Sequence, residues 1–356
     1  MTEKILLKGN VALARGAVDA GCRYYFGYPI TPQNDIPEYL SGELPKVGGV
    51  FVQAESELAA INMVLGAAST GRLVMTSSSG PGISLMQEGL SYLAGSELPA
   101  VVVNISRSGP GLGGISPTQG DYHQATRGGG HGDYRLIVLA PSSVQEMYDL
   151  VGEAFQLAFQ YRNPVMVLGD AILGQMKEPV VLREEAAPPE PPSWVLTGAL
   201  NREPRLIKSL YLKDGEMTVH NWKLFEKYSR LKEKEVRVEV DCPPHCSLVV
   251  AAFGSCARIA RTAVDRLRRR GQNVGLLRPI TLFPFPEGEV RRAAAAAGRL
   301  LVLEMNTGQM VDDIRLACRG EAAVYFKGYP GGKVPTPEQV EEEIDAIINA
   351  GGLRVC

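Results

Sequence analysis

Six short apolar runs, separated by segments with helical spacing, restrict this chain more than any other feature. They read YYFGY at 24–28, GVFVQ at 49–53, RLVMTSS at 72–78, AVVVNIS at 100–106, RLIVLA at 135–140 and PVMVLGD at 164–170. They do not alternate cleanly between apolar and polar residues. Both faces of each strand must therefore be covered, as in a parallel sheet flanked by helices on both sides. The same grammar returns from residue 247 in SLVVAAFGS, NVGLLRP and RLLVLEMN, with a last helix after PTPEQ at 335–339. The expected architecture is α/β: a doubly wound parallel-sheet domain over 1–185, a linker or arm over 186–246, and a smaller α/β domain over 247–356.

The arm has a different texture. It opens with PPEPPSW at 188–194, is rich in charge and shows no clear strand alternation, which reads as a linker or as a segment crossing another surface. Within it Val219, Trp222, Phe225, Tyr228 and Leu231 recur every third residue. That spacing predicts an amphipathic helix with an aromatic stripe, which packs either on its own domains or on a partner chain.

Net charge excludes one class of partner. Thirty-seven Lys and Arg against 39 Asp and Glu leave −2, so no general attraction draws the chain to nucleic acid. The basic run Arg266, Arg268, Arg269, Arg270 reads as the solvated end of a helix. The first helical segment, GNVALARGAVDAG, is too short and too charged for a signal peptide or a membrane span, so the expected location is cytoplasmic, with no membrane contact. Cysteines at 22, 242, 246, 256, 318 and 356 have no repeating spacing that suits a disulfide framework or an iron–sulfur set. Cys242-Pro-Pro-His-Cys246 offers three potential metal ligands without a second cluster nearby, and reads as a turn into the next strand; no metal site is expected on this chain.

Four segments carry candidate chemistry. In GYPITPQN (27–34) two prolines bracket Ile30 and Thr31 and bias Tyr28 and Thr31 towards extended backbone. This is either a tight strand-to-helix turn or a rigid loop presenting the Thr31 hydroxyl at the carboxyl end of a strand, where open α/β sheets bind ligands. In QAESELAAINMVLGAASTG (53–71) a helical register puts Glu57 on one face with Ala60, Ile61, Val64 and Leu65, while Glu55 falls off that face. A carboxylate on an apolar stripe must be ion-paired or carry a raised pKa, unless it is only a half-exposed residue suiting a helix start. The turn in VMTSSSGPGISLMQEG, with Ser79 and Gly80 at its centre, either holds an anion on its N–H groups or simply joins strand to helix. It has neither the lysine of a P-loop nor GxGxxG after a strand. Beyond AVVVNIS, nine glycines lie between Arg107 and Gly132, in a loop long enough to be functional. Arg107, at the strand's carboxyl end, is either a surface residue or a fork for a carboxylate that would complement Thr31 if the two strand ends are neighbours. His123 and His131 have no Ser or Cys partner at a diagnostic spacing, so a nucleophilic triad is not supported.

Taken together and in order, GYPITP, ESELAAINMVLGA, TSSSGPGISLMQEG, SRSGPG with SPTQGD, VLEMNTGQMVDD and GGKVPTPEQ resemble one family over nearly the whole chain. It is the α-type subunit of 2-oxoacid:ferredoxin oxidoreductases, which use thiamine diphosphate. The arm strings REPRLIKSLYLKDGE and HNWKLFEKY are most similar to the branched-chain, 2-oxoisovalerate type. The resemblance implies a pyrimidine-binding first domain and a second domain like the carboxyl-terminal domain of transketolase. It implies that Glu57 hydrogen-bonds N1′ of the aminopyrimidine, that Pro29, Ile30, Ser79 and Gly80 line the cofactor, and that Thr31 and Arg107 stand near the substrate's carboxylate and carbonyl.

The diphosphate motif of such enzymes, GDG followed by paired asparagines, is missing. Gly169-Asp170-Ala171 comes nearest and lacks the downstream pair. The resemblance therefore implies a β-type partner subunit that supplies the diphosphate and Mg²⁺ site, and an iron–sulfur, ferredoxin-like subunit that carries the clusters. The implied reaction converts a small 2-oxoacid, coenzyme A and oxidised ferredoxin to acyl-coenzyme A, carbon dioxide and reduced ferredoxin. Two other readings stay open: a 2-oxoglutarate- or pyruvate-specific relative, whose longer acidic substrates would want a second cation, and a non-catalytic α/β assembly scaffold.

Overall fold

The computed structural model describes residues 4–187 and 189–349. Its strands, in chain order, are β1 (Lys4–Lys8), β2 (Tyr24–Gly27), β3 (Val50–Gln53), β4 (Val74–Ser78), β5 (Ala100–Ser106), β6 (Ile137–Leu139), β7 (Pro164–Asp170), β8 (Lys177–Val181), β9 (Val238–Asp241), β10 (Leu248–Ala251), β11 (Val274–Pro279), β12 (Thr281–Phe283), β13 (Arg299–Glu304) and β14 (Ala323–Gly328). All six runs of the first domain are strands, and they form one sheet in the order β12-β6-β7-β5-β4-β2-β3. Every pairing in it is parallel except that of β12 with β6. A second sheet runs β14-β13-β10-β11-β9, parallel except at β9.

Double burial has the cause expected. Along β5, Ala100 and Val102 enter one apolar cluster while Val101, Val103 and Ile105 enter another, because successive side chains point to opposite faces. The first of these clusters also takes Val249, Ala251, Leu277, Leu300 and Val302 from the second sheet. The two halves thus share one apolar layer, and each keeps a further cluster of its own on the opposite face of its sheet.

The second half lends a strand to the first sheet, and the arm lends one to the second. β12 follows β11 in sequence yet adds to the first sheet, with Thr281 opposite Leu139. β9 belongs to the segment 186–246, which had shown no strand alternation, and pairs antiparallel with β11 through Asp241 and Leu276. Four residues with a charge at every second position, VEVD, give too short a pattern to stand out from charged linker sequence. β1 and β8 form a separate two-stranded ribbon.

The arm helix, Glu216–Lys234, docks on the first domain through Leu224, Tyr228 and Leu231. The three-residue stripe does not stay together: Val219, Trp222 and Phe225 are exposed, Trp222 by 61%. Steps of three residues drift by about 60° per step around a helix of 3.6 residues per turn, so a five-residue stripe winds off any single face. Among the described residues no helix is long and apolar enough to cross a membrane.

Polar contacts finish the docking. His220 Nε2 lies 2.8 Å from the Gly95 carbonyl oxygen, Lys223 donates to Glu97, and the buried Lys227 lies 3.7 Å from the same carboxylate. Burial pushes the Lys227 ammonium down to about 8. Burial would raise Glu97, but Lys223, Lys227 and Arg162 outweigh it and hold that carboxyl below its ordinary range. A depressed carboxylate contributes its stabilisation above the ordinary value near 4.5 and loses it as the pH falls further. Protection factors of amides in residues 216–234, taken relative to intrinsic exchange at each pH, should therefore fall as the pH drops below that value, and Glu97→Gln should already be weakly protected at neutral pH and show no such step. Equal acid sensitivity in both proteins would show that Glu97 does not hold the helix.

Candidate active site

The carboxyl ends of β2 and β4 mark the point where the first sheet reverses its winding. From β2 the chain goes outward to β3 and then returns to lay β4 on the other side of β2. Connections leave in opposite directions there, which opens a crevice. Three segments meet at it: the loop after β2, the start of the helix Glu57–Ser69 and the turn after β4.

Glu57 begins its helix behind Ser56, whose side chain accepts from Ala59 N. Its face is the one the periodicity gave, with Ala60, Ile61 and Val64 buried beside it, and Glu55 lies exposed ahead of the helix. Glu57 is 4% exposed. Ser78 Oγ donates to its Oε1 at 2.9 Å, and among the described residues it has no other hydrogen-bond partner and no ion pair. Gly82 makes this approach possible: a Cβ there would lie 2.1 Å from both Glu57 Oε1 and Ser78 Oγ. A buried carboxylate held by one hydroxyl is incompletely satisfied, because it can accept four hydrogen bonds.

The serine run is committed inward. Ser77 Oγ donates to Gln33 Oε1 at 2.6 Å and lies 2.8 Å from Tyr25 Oη, Ser78 serves Glu57, and Ser79 Oγ donates to the Ile105 carbonyl at 2.8 Å. All three serines are fully buried. Ser79 thus presents no hydroxyl to a ligand, and the turn is a strand-to-helix joint braced by its side chains. Gly80 does line the neighbouring cleft. Pro29 and Thr31 are exposed and Ile30 half-buried; none of the three lines that cleft, and Thr31 lines a separate pocket with Pro32, Asp35 and Gln175.

Arg107 and Thr31 meet, though not as neighbouring strand ends, since β4 stands between β5 and β2. Arg107 Nη1 donates to the Thr31 carbonyl at 2.8 Å and Nη2 to that of Leu112 at 3.3 Å, while its buried Nε has no partner. The guanidinium thus ties the glycine-rich loop to the β2 loop. It also lines a cleft of about 440 Å³ with Gly80, Asp121, Asn306 and Gln309, and among the described residues is the only Lys or Arg on that wall.

Asp121 and the second-domain wall escaped the sequence reading. Asn104 Nδ2 and Ser106 Oγ both donate to Asp121 Oδ2, at 2.9 and 3.0 Å, while burial raises its pKa. A signal existed: Asn104 and Ser106 are polar, two apart, and therefore on one face of an otherwise apolar strand. Opposite them, Glu304 accepts from the N–H groups of Gln309, Met310 and Val311. The walls are joined by Gln119, whose Nε2 donates to Phe253 O and whose Oε1 accepts from Met305 N. Gln119 N donates to Met305 O and its carbonyl accepts from Asn306 Nδ2.

Asp170, in the string nearest to a diphosphate motif, caps a helix. Its Oδ1 accepts from Ile172 N and Leu173 N. Among the described residues no group of three His, Cys, Asp or Glu side chains is placed to hold a metal ion.

The site thus combines a buried carboxylate with a single hydroxyl partner among the described residues, the switch point of a doubly wound sheet, and a second α/β domain facing it. Residues 15–234 match a family model described as pyruvate flavodoxin/ferredoxin oxidoreductase, thiamine diphosphate-binding, and residues 246–340 match pyruvate:ferredoxin oxidoreductase core domain II. The chain is 55% identical over 317 residues, 88% of its length and 90% of the relative's, to ketoisovalerate oxidoreductase subunit VorB of Methanothermobacter thermautotrophicus. It is 39% identical to 2-oxoglutarate synthase subunit KorA of Archaeoglobus fulgidus, covering 96% of this chain and 99% of that one. A solved 2-oxoglutarate:ferredoxin oxidoreductase of Magnetococcus marinus superposes with a TM-score of 0.88 at 26% identity, over 98% of this chain and 66% of the other. The chain belongs to the thiamine diphosphate-dependent 2-oxoacid:ferredoxin oxidoreductases, as a subunit.

The clasp is open to test. Gln119→Ala leaves the buried Met305 N–H and Phe253 carbonyl without these partners and should cost about 2 to 4 kcal/mol. The expected result in calorimetry is a clear fall in Tm; an unchanged Tm would mean that the side-chain contacts do not hold the two walls together.

Proposed function

We propose that this chain is the pyrimidine-side subunit of a heteromeric, cytoplasmic oxidoreductase for branched-chain 2-oxoacids. It would convert 2-oxoisovalerate and coenzyme A to the acyl-coenzyme A and carbon dioxide, with the electrons passed to ferredoxin. The observation that carries the reading is Glu57, a buried carboxylate whose one partner is Ser78. An aminopyrimidine nitrogen set against its other oxygen would add to its hydrogen bonding.

Bound thiamine diphosphate supplies the electron sink for decarboxylation. The residues of this chain do the rest. Glu57 holds and exchanges a proton at N1′ from the oxygen that Ser78 leaves free. Gly80 shapes the near wall, Pro29 and Ile30 meet the cofactor from the loop after β2, and Ser79 braces the turn from inside. Arg107, with donors to spare beyond its two carbonyl contacts, orients the substrate carboxylate, and Thr31 presents its hydroxyl from the loop after β2.

The cleft supports a monocarboxylate. Among the described residues Arg107 is the only cation lining it, and a 2-oxoglutarate side chain would bring a second charge without a partner on this chain. The relatives agree in rank, with 55% identity to VorB against 39% to KorA. Diphosphate, Mg²⁺ and iron–sulfur clusters are assigned to partner subunits, because Asp170 is committed to its helix cap and no cysteine set here suits a cluster. The exposed Trp222 and Phe225 are the candidate anchors for the β-type subunit.

Two measurements decide this. The lone chain, titrated with thiamine diphosphate and Mg²⁺ by calorimetry, should show no tight binding. The complex with its β-type and iron–sulfur partners should turn over 2-oxoisovalerate with a higher kcat/KM than pyruvate or 2-oxoglutarate. Tight stoichiometric binding by the lone chain would refute the division between subunits, and a preference for 2-oxoglutarate would refute the substrate. In the same complex Glu57→Gln should keep its cofactor and lose turnover by orders of magnitude, while Glu55→Gln stays near normal. Near-normal turnover in Glu57→Gln would remove that carboxylate from the mechanism.

A further inference from the structure

Outside the cleft, one pair of reactive side chains has no part in the function above. Cys242 follows β9 and Cys246 precedes β10, and β11 lies between these two strands in the sheet. The connecting turn must therefore step across the end of β11, and it does so over Gly275. A Cβ on Gly275 would lie 2.8 Å from Cys242 Sγ and 2.9 Å from Cys246 Sγ, so both sulfurs fill the space that a side chain there would take.

The turn is held for this approach. Asn273 Nδ2 donates to the carbonyls of Pro244 and His245 at 2.6 and 2.8 Å, Ser247 N donates back to Asn273 O at 2.8 Å, and His245 has φ 58°. Two prolines remove further freedom. His245 is exposed, and the two thiols do not form part of a three-ligand metal cluster among the described residues. Cys22, Cys256 and Cys318 are buried, whereas Cys242 is half-exposed and accessible to a small reagent.

From this juxtaposition we infer that Cys242 and Cys246 form a dithiol site that closes to an intramolecular disulfide on meeting a small-molecule disulfide such as oxidised glutathione. Cys242, as thiolate, attacks one glutathione sulfur, expels one glutathione thiolate and becomes a mixed disulfide. Cys246 then loses its proton to solvent, attacks the Cys242 sulfur and expels the second glutathione thiolate, which takes up a proton as the first did. Two protein thiols are oxidised and one glutathione disulfide is reduced to two thiols. The bond would tie the end of β9 to the start of β10, at the amino end of the second sheet and away from the cleft.

The reaction should be slow at neutral pH. Burial pushes Cys242 up to about 12 and raises Cys246 as well; of the charges facing the pair, Arg268 opposes this and Asp241 adds to it. The rate should therefore climb steadily from pH 7 to 9.

The test treats the assembled complex with oxidised glutathione at several pH values, alkylates remaining thiols and maps peptides by mass. The expected product is a 242–246 peptide lighter by two hydrogens, closed to alkylation and reopened by dithiothreitol. Cys246→Ser should instead retain one glutathione at Cys242. The inference fails if both thiols of the unmutated protein still alkylate after treatment at pH 9, if glutathione stays on either, or if the link joins two chains.

Discussion

Gln119 is the hinge pin of the molecule. Like the first sheet, the second has a point where its winding reverses, between β10 and β13, and Gln119 reaches into it with bonds to Phe253 and Met305. Backbone and side chain are both committed, so the loop 118–121 acts as a rigid insert between the carboxyl ends of two sheets. The cleft is the space left beside that insert. Its walls come from residues as far apart in sequence as Gly80 and Gly331, and their relative placement rests on this contact, on the shared apolar layer and on the exchanged strand β12.

A second constraint is how the polar residues at the first switch point are used. Tyr25, Ser77 and Gln33 form one buried chain, Ser78 and Glu57 another, and Ser79 ties the turn to β5. These hydroxyls would each be costly if left unpaired. Their mutual satisfaction holds the loop after β2 against the turn after β4 and leaves Glu57 as the group with capacity to spare. Gly82 sets how closely that carboxylate approaches, since any larger residue would occupy the position of its oxygen.

The sequence by itself determined six of the seven strands of the first sheet, their double burial and the face of the helix that carries Glu57. Each follows from a period of two or of 3.6 residues over several positions, and such a pattern survives without knowledge of neighbours. The identity of the family was also legible, because six motifs in order fix more than any one of them. Tertiary structure alone decided the rest. Which donors Arg107 uses, where β9 and β12 pair, and that Asp121 faces Gly80 depend on contacts between distant segments with no local period. The splitting of the Trp222 stripe was decided by which side of the helix the first domain covers. Gln119 sits in a glycine-rich loop with nothing in its sequence to mark it, and its four hydrogen bonds exist only because two sheets bring their switch points together.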